Sequence, residues 1–167
     1  MNKQVHLTTA LALTVLSSFG GGAVAQGLGV GAGLDVETVP SQRIRGQSVF
    51  SAKFLCTIPT NPLILPPGPL VPGIYRTAIN IHNPDPVRPV KFTKKALLTP
   101  GPIGEPVPET LGPNEGLELD CENIQGLAGV VCIPEGCFLK GFVTITTEGP
   151  LDVVGVYTFK NVEAAGP

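Results

Sequence analysis

Proline and glycine are frequent along this chain, and their density limits what it can fold into. The sequence has 21 glycines and 18 prolines among 167 residues. Proline lacks the backbone donor that a helix interior needs, and glycine there costs about 1 kcal/mol relative to alanine. Short apolar stretches lie between these residues, so we expect many short strands and no helix of two turns or more.

The clearest strand signal is an alternation over residues 49–58. Phe50, Phe54 and Cys56 occupy even positions of this stretch, and a period of two places them together on one buried face. Residues 74–82 repeat the pattern, with Tyr75, Thr77, Ile79 and Ile81 on one face. Both stretches therefore predict strands that contribute one side to a core.

Weaker signals predict the remaining strands. The three lysines within 90–98 indicate a solvated face or a protected edge. Residues 34–39 and 117–121 each predict a short strand, the second with Cys121 on its buried face. We expect 138–147 and 151–160 to pair as an antiparallel hairpin through the turn at 148–150, with 153–159 as a central strand covered on both sides.

These signals predict an all-β fold. About seven to eight antiparallel strands with turn residues between them are typical of a two-layer, immunoglobulin-like β-sandwich. A small closed barrel is the alternative.

The N-terminus has the pattern of a Sec-type signal peptide. Lys3 precedes the uncharged stretch 7–19, and Ala23 and Ala25 supply small residues before a cut between Ala25 and Gln26. We therefore expect a signal peptide over 1–25, a glycine-rich segment with a possible first strand over 26–47, and a β-sandwich domain over 48–167. The mature protein would be secreted or periplasmic, with no membrane span.

Four cysteines in an exported domain favour disulfides over a metal site. Cys56 and Cys121 both occupy inward positions of predicted strands, while Cys132 and Cys137 flank a turn-like tetrapeptide. We predict the pairs Cys56–Cys121 and Cys132–Cys137. A four-cysteine zinc site is the competing interpretation, although the spacing is loose for one.

Two proline-rich loops are expected at 59–72 and 100–113. The first is unusually apolar and either folds back over a sheet edge or forms a docking surface for a partner. Its candidate contact residues are Leu63, Ile64, Leu65, Leu70 and Val71.

Few residues are available for catalysis or cofactor binding. After the predicted cut the chain has one histidine, His82, and three serines, Ser41, Ser48 and Ser51, none of them in a nucleophile-elbow motif. We expect the His82 ring to cap or hydrogen-bond backbone; with Asp85 it marks the one place to look for a hydrolase.

The acidic residues Glu118, Asp120 and Glu122 suggest weak calcium binding at most, because the chain has no calcium-loop motif. No phosphate-binding loop is found, so we expect no cofactor and no metal. The formal net charge of −2 argues against a nucleic-acid partner.

Several motifs together resemble a family of small, exported, uncharacterised bacterial proteins. They are the Lys-Phe-x-Cys stretch at 53–56, Tyr-Arg-Thr-Ala-Ile-Asn-Ile-His-Asn-Pro at 75–84, Leu-Asp-Cys-Glu at 119–122, Lys-Gly-Phe-Val at 140–143 and the stretch 151–158. The resemblance implies export and an all-β domain, and it brings no known activity. The Cys132 and Cys137 pair is an addition to the shared pattern.

The sequence therefore predicts an exported, non-enzymatic β-sandwich that acts as a binding or structural module. Protein partners or self-association would use a sheet edge or the first proline-rich loop, and residues 26–39 are placed to donate a strand to a neighbour. The alternatives are a carbohydrate-binding module, which the scarcity of aromatic residues disfavours, or a hydrolase centred on His82.

Overall fold

The computed structural model describes residues 32–58, 70–71, 73–133 and 136–161. Within these ranges two antiparallel sheets pack together, and one short helix accompanies them. The elements are β1 (Ala32–Thr38), β2 (Ser41–Ile44), β3 (Gln47–Ile58), β4 (Gly73–His82), β5 (Val90–Leu98), β6 (Val107–Leu111), β7 (Gly116–Leu119), α1 (Cys121–Ala128), β8 (Cys137–Thr147) and β9 (Asp152–Asn161). Sheet A has the strand order β1-β9-β4-β7, and sheet B has the order β2-β3-β8-β5-β6. The predicted two-layer β-sandwich is confirmed.

The core lies between the two sheets and follows the predicted alternation. On β3 the even-numbered residues 50–58 are buried, and Phe54 and Cys56 are fully so. On β4 the odd-numbered residues 73–81 are buried. The alternation works because each of these strands presents one face to the opposite sheet.

The predicted hairpin of the last two strands is wrong. β8 belongs to sheet B and β9 to sheet A. β8 pairs with β3 on one side and β5 on the other, and β9 pairs with β4 and β1. Because both edges of each strand are occupied, the two strands cannot pair with each other. Residues 148–150 instead carry the chain from one sheet to the other. β9 is central in its sheet as predicted, but on its outward face Val154 and Val156 are only half-buried.

The lysine-containing strand β5 is not an edge strand. It lies between β8 and β6, so both of its edges are hydrogen-bonded. Lys94 points into the protein and is 7% exposed, and its Nζ lies 2.9 Å from a carboxylate oxygen of Glu109. Lys91 and Lys95 occupy the opposite, outward face, as the prediction of a solvated face requires.

The expectation that the chain has no helix of two turns or more is wrong: α1 has eight residues, and it begins inside the predicted strand 117–121. The strand β7 ends at Leu119, and α1 starts at Cys121, which is therefore a helical residue. Asp120 caps the helix: its side chain accepts from the Asn123 amide, and the Asn123 side chain accepts from the Asp120 amide. Gly129 ends it with a φ of 64°. This reciprocal cap outweighs the strand alternation of the preceding residues.

Nine strands are described. β1 overlaps the predicted strand 34–39, whereas β2 and β6, the latter within the second proline-rich loop, were not predicted. β6 is one of the two edge strands of sheet B. Pro108 is tolerated in this strand because an edge strand is hydrogen-bonded to a neighbour on one side only, so the missing N–H of proline removes less of the ladder.

Both predicted disulfides are present. The Cα atoms of Cys56 and Cys121 are 5.6 Å apart, and those of Cys132 and Cys137 are 5.4 Å apart. The first bridge ties the C-terminal part of β3 to the start of α1, and Cys56 and Cys121 are 0% and 1% exposed. Disulfide pairing is compatible with an oxidising, extracytoplasmic compartment.

Candidate functional site

The His82 ring contacts a carboxylate rather than backbone. Its Nδ1 lies 3.4 Å from Oδ2 of Asp152, the residue opposite it on β9. The two side chains are 47% and 65% exposed. The expected backbone contact of the ring is therefore wrong, and the pair is a solvent-accessible contact at the end of sheet A.

Asp85 does not join His82. Its carboxylate accepts hydrogen bonds from the amides of Val87 and Arg88 at 2.8 and 2.9 Å, and these bonds hold the pKa of Asp85 below its ordinary value. The serines lie on sheet B, Ser41 on β2 and Ser48 and Ser51 on β3. Within the described residues no serine hydroxyl is hydrogen-bonded to His82, so the arrangement provides no activated nucleophile there.

Asp120 and Glu122, two of the acidic residues near α1, have structural partners. Asp120 is the helix cap, and Glu122 binds Arg76 at 2.7 Å, which lowers the pKa of Glu122. Glu118 lies on β7, opposite Asn80. Across the parts of the chain that the structure describes, no group of three or more histidine, cysteine or acidic side chains is arranged to hold a metal ion.

β1 forms an exposed edge of sheet A. It pairs with β9 over its whole length, and no described strand pairs with its other side. All seven residues are exposed, including Leu34 at 69% and Val36 at 58%. The strand contains no proline or lysine, the residues that commonly protect such edges.

The hydrogen-bonding register shows which backbone groups are free. The Val39 amide donates to the Val153 carbonyl, directly beyond the last β1–β9 pair. Hydrogen-bonded pairs alternate along an antiparallel ladder, so Asp35 and Glu37 direct their backbone groups toward β9. Leu34 and Val36 direct theirs toward solvent. The free edge of β1 is therefore a row of available donors and acceptors.

The outward face of sheet B carries lysine and hydroxyl side chains. We call it the lysine–threonine face; its residues are Ser51 and Lys53 of β3, Lys91, Thr93 and Lys95 of β5, Thr110 of β6, and Lys140, Thr144 and Thr146 of β8. The register places these side chains together, with Thr93 opposite Thr146 and Lys95 opposite Thr144. The sequence analysis missed this face, although the odd positions of residues 91–95 were its signal.

A cleft of about 1160 Å³ lies over part of this face. Thr93, Thr144 and Thr146 line its floor. Residues 85 and 88–89, residues 106 and 108, and the crossover 148–150 also line it.

A smaller cleft of about 430 Å³ lies between β1 and the exposed part of β3. Tyr157 lines it, and its hydroxyl is buried without a partner that meets hydrogen-bond distance and angle among the described residues. Burial, together with the nearby Glu37 carboxylate, raises the pKa of Tyr157 to about 12. Tyr157 is therefore a neutral phenol at physiological pH.

The partner contacts of the first proline-rich loop stay a prediction. Leu63, Ile64 and Leu65 lie outside the described residues, as do the predicted signal peptide and its predicted cleavage site. Leu70 is half-buried, and Val71 is 57% exposed and accepts a hydrogen bond from the Tyr75 hydroxyl at 2.7 Å.

No helix within the described ranges is long and apolar enough to cross a membrane. The chain matches no protein-family model, no curated protein and no solved structure.

Proposed function

We propose that the protein is an exported, non-enzymatic β-sandwich module that binds an extended segment of a partner protein along the free edge of β1. The single observation that carries the proposal is the state of this edge: seven exposed residues, paired on one side only among the described strands, with no proline or lysine. Strand addition at such an edge is an established mode of peptide recognition.

The backbone supplies the affinity in this mode. Leu34 and Val36 each direct an amide and a carbonyl away from β9. An added strand satisfies these groups with main-chain hydrogen bonds, and it extends sheet A by one strand without changing the β1–β9 register.

The side chains of β1 define the chemistry of the partner. Leu34 and Val36 lie on the outward face of sheet A with Val156, their neighbour on β9. Asp35 and Glu37 lie on the opposite face. Neighbouring side chains across a ladder interact, and opposite charges there are favourable. The favoured partner segment therefore alternates apolar residues with lysine or arginine.

A second copy of β1 fits this edge poorly. Antiparallel pairing through the free groups of both strands places all four carboxylates, Asp35 and Glu37 of each copy, on one face of the pair. Like charges across a ladder are destabilising. The free edge therefore favours a different, basic segment.

The test is selection of extended peptides from a displayed library against the mature chain. Val36→Pro removes the outward-facing donor and keeps the β1–β9 bonds, because the amide of Val36 does not face β9. Val36→Thr is the matched control, since it retains the donor and a β-branched side chain. We expect alternating apolar and basic peptides that bind wild type and Val36→Thr, and roughly tenfold or greater loss for Val36→Pro.

Peptides that bind Val36→Pro as well as wild type would place recognition elsewhere. Selected peptides without basic residues would show that Asp35 and Glu37 do not define the partner. The hydrolase alternative has less support, because His82 has an exposed carboxylate partner and no neighbouring serine hydroxyl among the described residues.

A further inference from the structure

The charges of the folded chain are segregated by surface. Four lysines, Lys53, Lys91, Lys95 and Lys140, occupy outward positions of the lysine–threonine face. The outward positions of β3, β5, β6 and β8 include no carboxylate among the described residues. This face is thus locally cationic although the whole chain has a formal net charge of −2.

Three carboxylates line the adjoining cleft, and two of them already have partners. Asp85 accepts from two backbone amides, and Glu109 is bound to the inward-facing Lys94 at 2.9 Å. Glu148 is the third. Arg88, Lys91 and Lys95 line the same cleft. The net charge of the side chains available to a ligand in this cleft is therefore positive.

The floor of the cleft is made of hydroxyl groups. Thr93, Thr144 and Thr146 are neighbours on β5 and β8, with Thr110 beside them on β6. Hydroxyls both donate and accept, so they match the hydroxyl groups of a polyol, while the lysines match its acidic groups. We propose that the lysine–threonine face binds an acidic polysaccharide, with Lys91 and Lys95 contacting its carboxylates.

Other polyanions fit this face less well. A protein interface normally has an aromatic or apolar centre. The outward-facing apolar side chains of this sheet include Phe138, Phe142 and Leu97, and none of these three lines the cleft. Single-stranded nucleic acid is held mainly by aromatic stacking. The scarcity of aromatic residues also argues against binding neutral sugars by ring stacking, which leaves the charge and hydroxyl contacts that suit an acidic polysaccharide. A flat bilayer would be kept from the threonine floor by the residues around the cleft, whereas a single polymer chain can enter it.

The proposal is tested by equilibrium binding of the full mature chain to polygalacturonate, with neutral dextran and anionic phosphatidylserine vesicles in parallel. We compare wild type, Lys91→Gln/Lys95→Gln, Lys91→Arg/Lys95→Arg and the control Lys160→Gln. Lys160 is an exposed lysine of β9 on the opposite sheet. Equal thermal midpoints establish that all variants fold alike.

We expect wild type, the arginine variant and Lys160→Gln to bind polygalacturonate, and no variant to bind dextran. The glutamine variant should bind roughly tenfold more weakly and with a shallower dependence on salt, because fewer counterions are released. No binding at low salt, an equal loss in Lys160→Gln, or vesicle binding that depends on Lys91 and Lys95 in place of polysaccharide binding would overturn the proposal. Val36→Pro should leave this binding unchanged, which separates it from strand addition at β1.

Discussion

Lys94 and Glu109 form a pair at the rim of the core. The Lys94 side chain is 9% exposed and that of Glu109 is 38% exposed. A buried ammonium without a partner is costly, so Glu109 is what allows lysine at an inward position of β5. The sequence could not show this, because residues 94 and 95 carry the same residue type on opposite faces of one strand.

The pair makes stability depend on pH. The hydrogen bond from Lys94 holds the pKa of Glu109 below its ordinary value of 4.5 in the folded state. The stabilisation that ionised Glu109 gives the folded state is therefore present above about pH 4.5. It is lost as the pH falls through the lowered pKa of Glu109. Glu109→Gln should lower the free energy of unfolding by about 1 kcal/mol at pH 7, a value limited by solvent screening, and by less at about pH 3.

Urea unfolding at both pH values measures this difference. Glu105→Gln, a change of an exposed glutamate, is the control and should have little effect at either pH. A Glu109→Gln difference that is the same at both pH values would show that ionisation of Glu109 does not contribute.

Asn83 is a residue whose role sequence reasoning missed. It follows His82 in a predicted turn, but its side chain is fully buried. Its Nδ2 donates to the carbonyls of Arg88 and Gly112, both at 2.8 Å, and its Oδ1 accepts from the Asp85 amide at 3.0 Å. The turn residues Asn, Pro and Asp predicted a local loop; the long-range contacts at one end of the sandwich depend on which strands meet there.

At the level of whole strands, alternation predicted where the strands lie better than it predicted which strands pair. β3 and β4 were predicted from inward residues such as Phe54 and Ile79, because burial on one face leaves a period of two. Pairing was not predictable in the same way. A turn such as 148–150 can join two strands of one sheet or cross between sheets, and the apolar character of β8 and β9 fits either arrangement.

The close packing of β8 against β5 gives a prediction. A Cβ on Gly141 would meet the backbone carbonyl of Leu97, which cannot move aside like a side chain. Gly141→Ala should therefore reduce the free energy of unfolding by roughly 3 kcal/mol. Gly126 of α1 has open space around its Cα, so Gly126→Ala should stabilise by about 0.5–1 kcal/mol.

Chemical denaturation of the two alanine variants checks this pair of predictions. A Gly141→Ala variant as stable as wild type would contradict the β5–β8 register. The opposite expected signs make each variant a control for the other, since both add the same methyl group.

At the scale of the whole molecule, the two disulfides differ in reach. Cys56 and Cys121 are 65 positions apart, whereas Cys132 and Cys137 are 5 apart. A cross-link that closes a longer loop restricts the unfolded chain more. In the chain-entropy model the long-range disulfide stabilises the fold by about 4 kcal/mol and the short-range one by about 2 kcal/mol. Cys56→Ala/Cys121→Ala should therefore lower the thermal midpoint more than Cys132→Ala/Cys137→Ala, as calorimetry would show. Equal midpoints would contradict this ranking.

The sequence predicted the cysteine pairing because inward positions and a turn restrict which sulfur atoms can meet. The candidate surfaces were less accessible. The free edge of β1 and the lysine–threonine face both depend on strand order and register, and neither is a local pattern. The position of a possible first strand was predicted; that its outer edge stays unpaired among the described strands follows from the topology.

The most direct test of the account is residue-resolved amide hydrogen exchange of β1, with and without a saturating selected peptide. We expect the amides of Leu34 and Val36 to exchange quickly in the free protein and to become protected on binding. Those of Asp35 and Glu37 should change little, because they already face β9. Unchanged exchange at Leu34 and Val36 in the saturated complex would contradict strand addition at this edge.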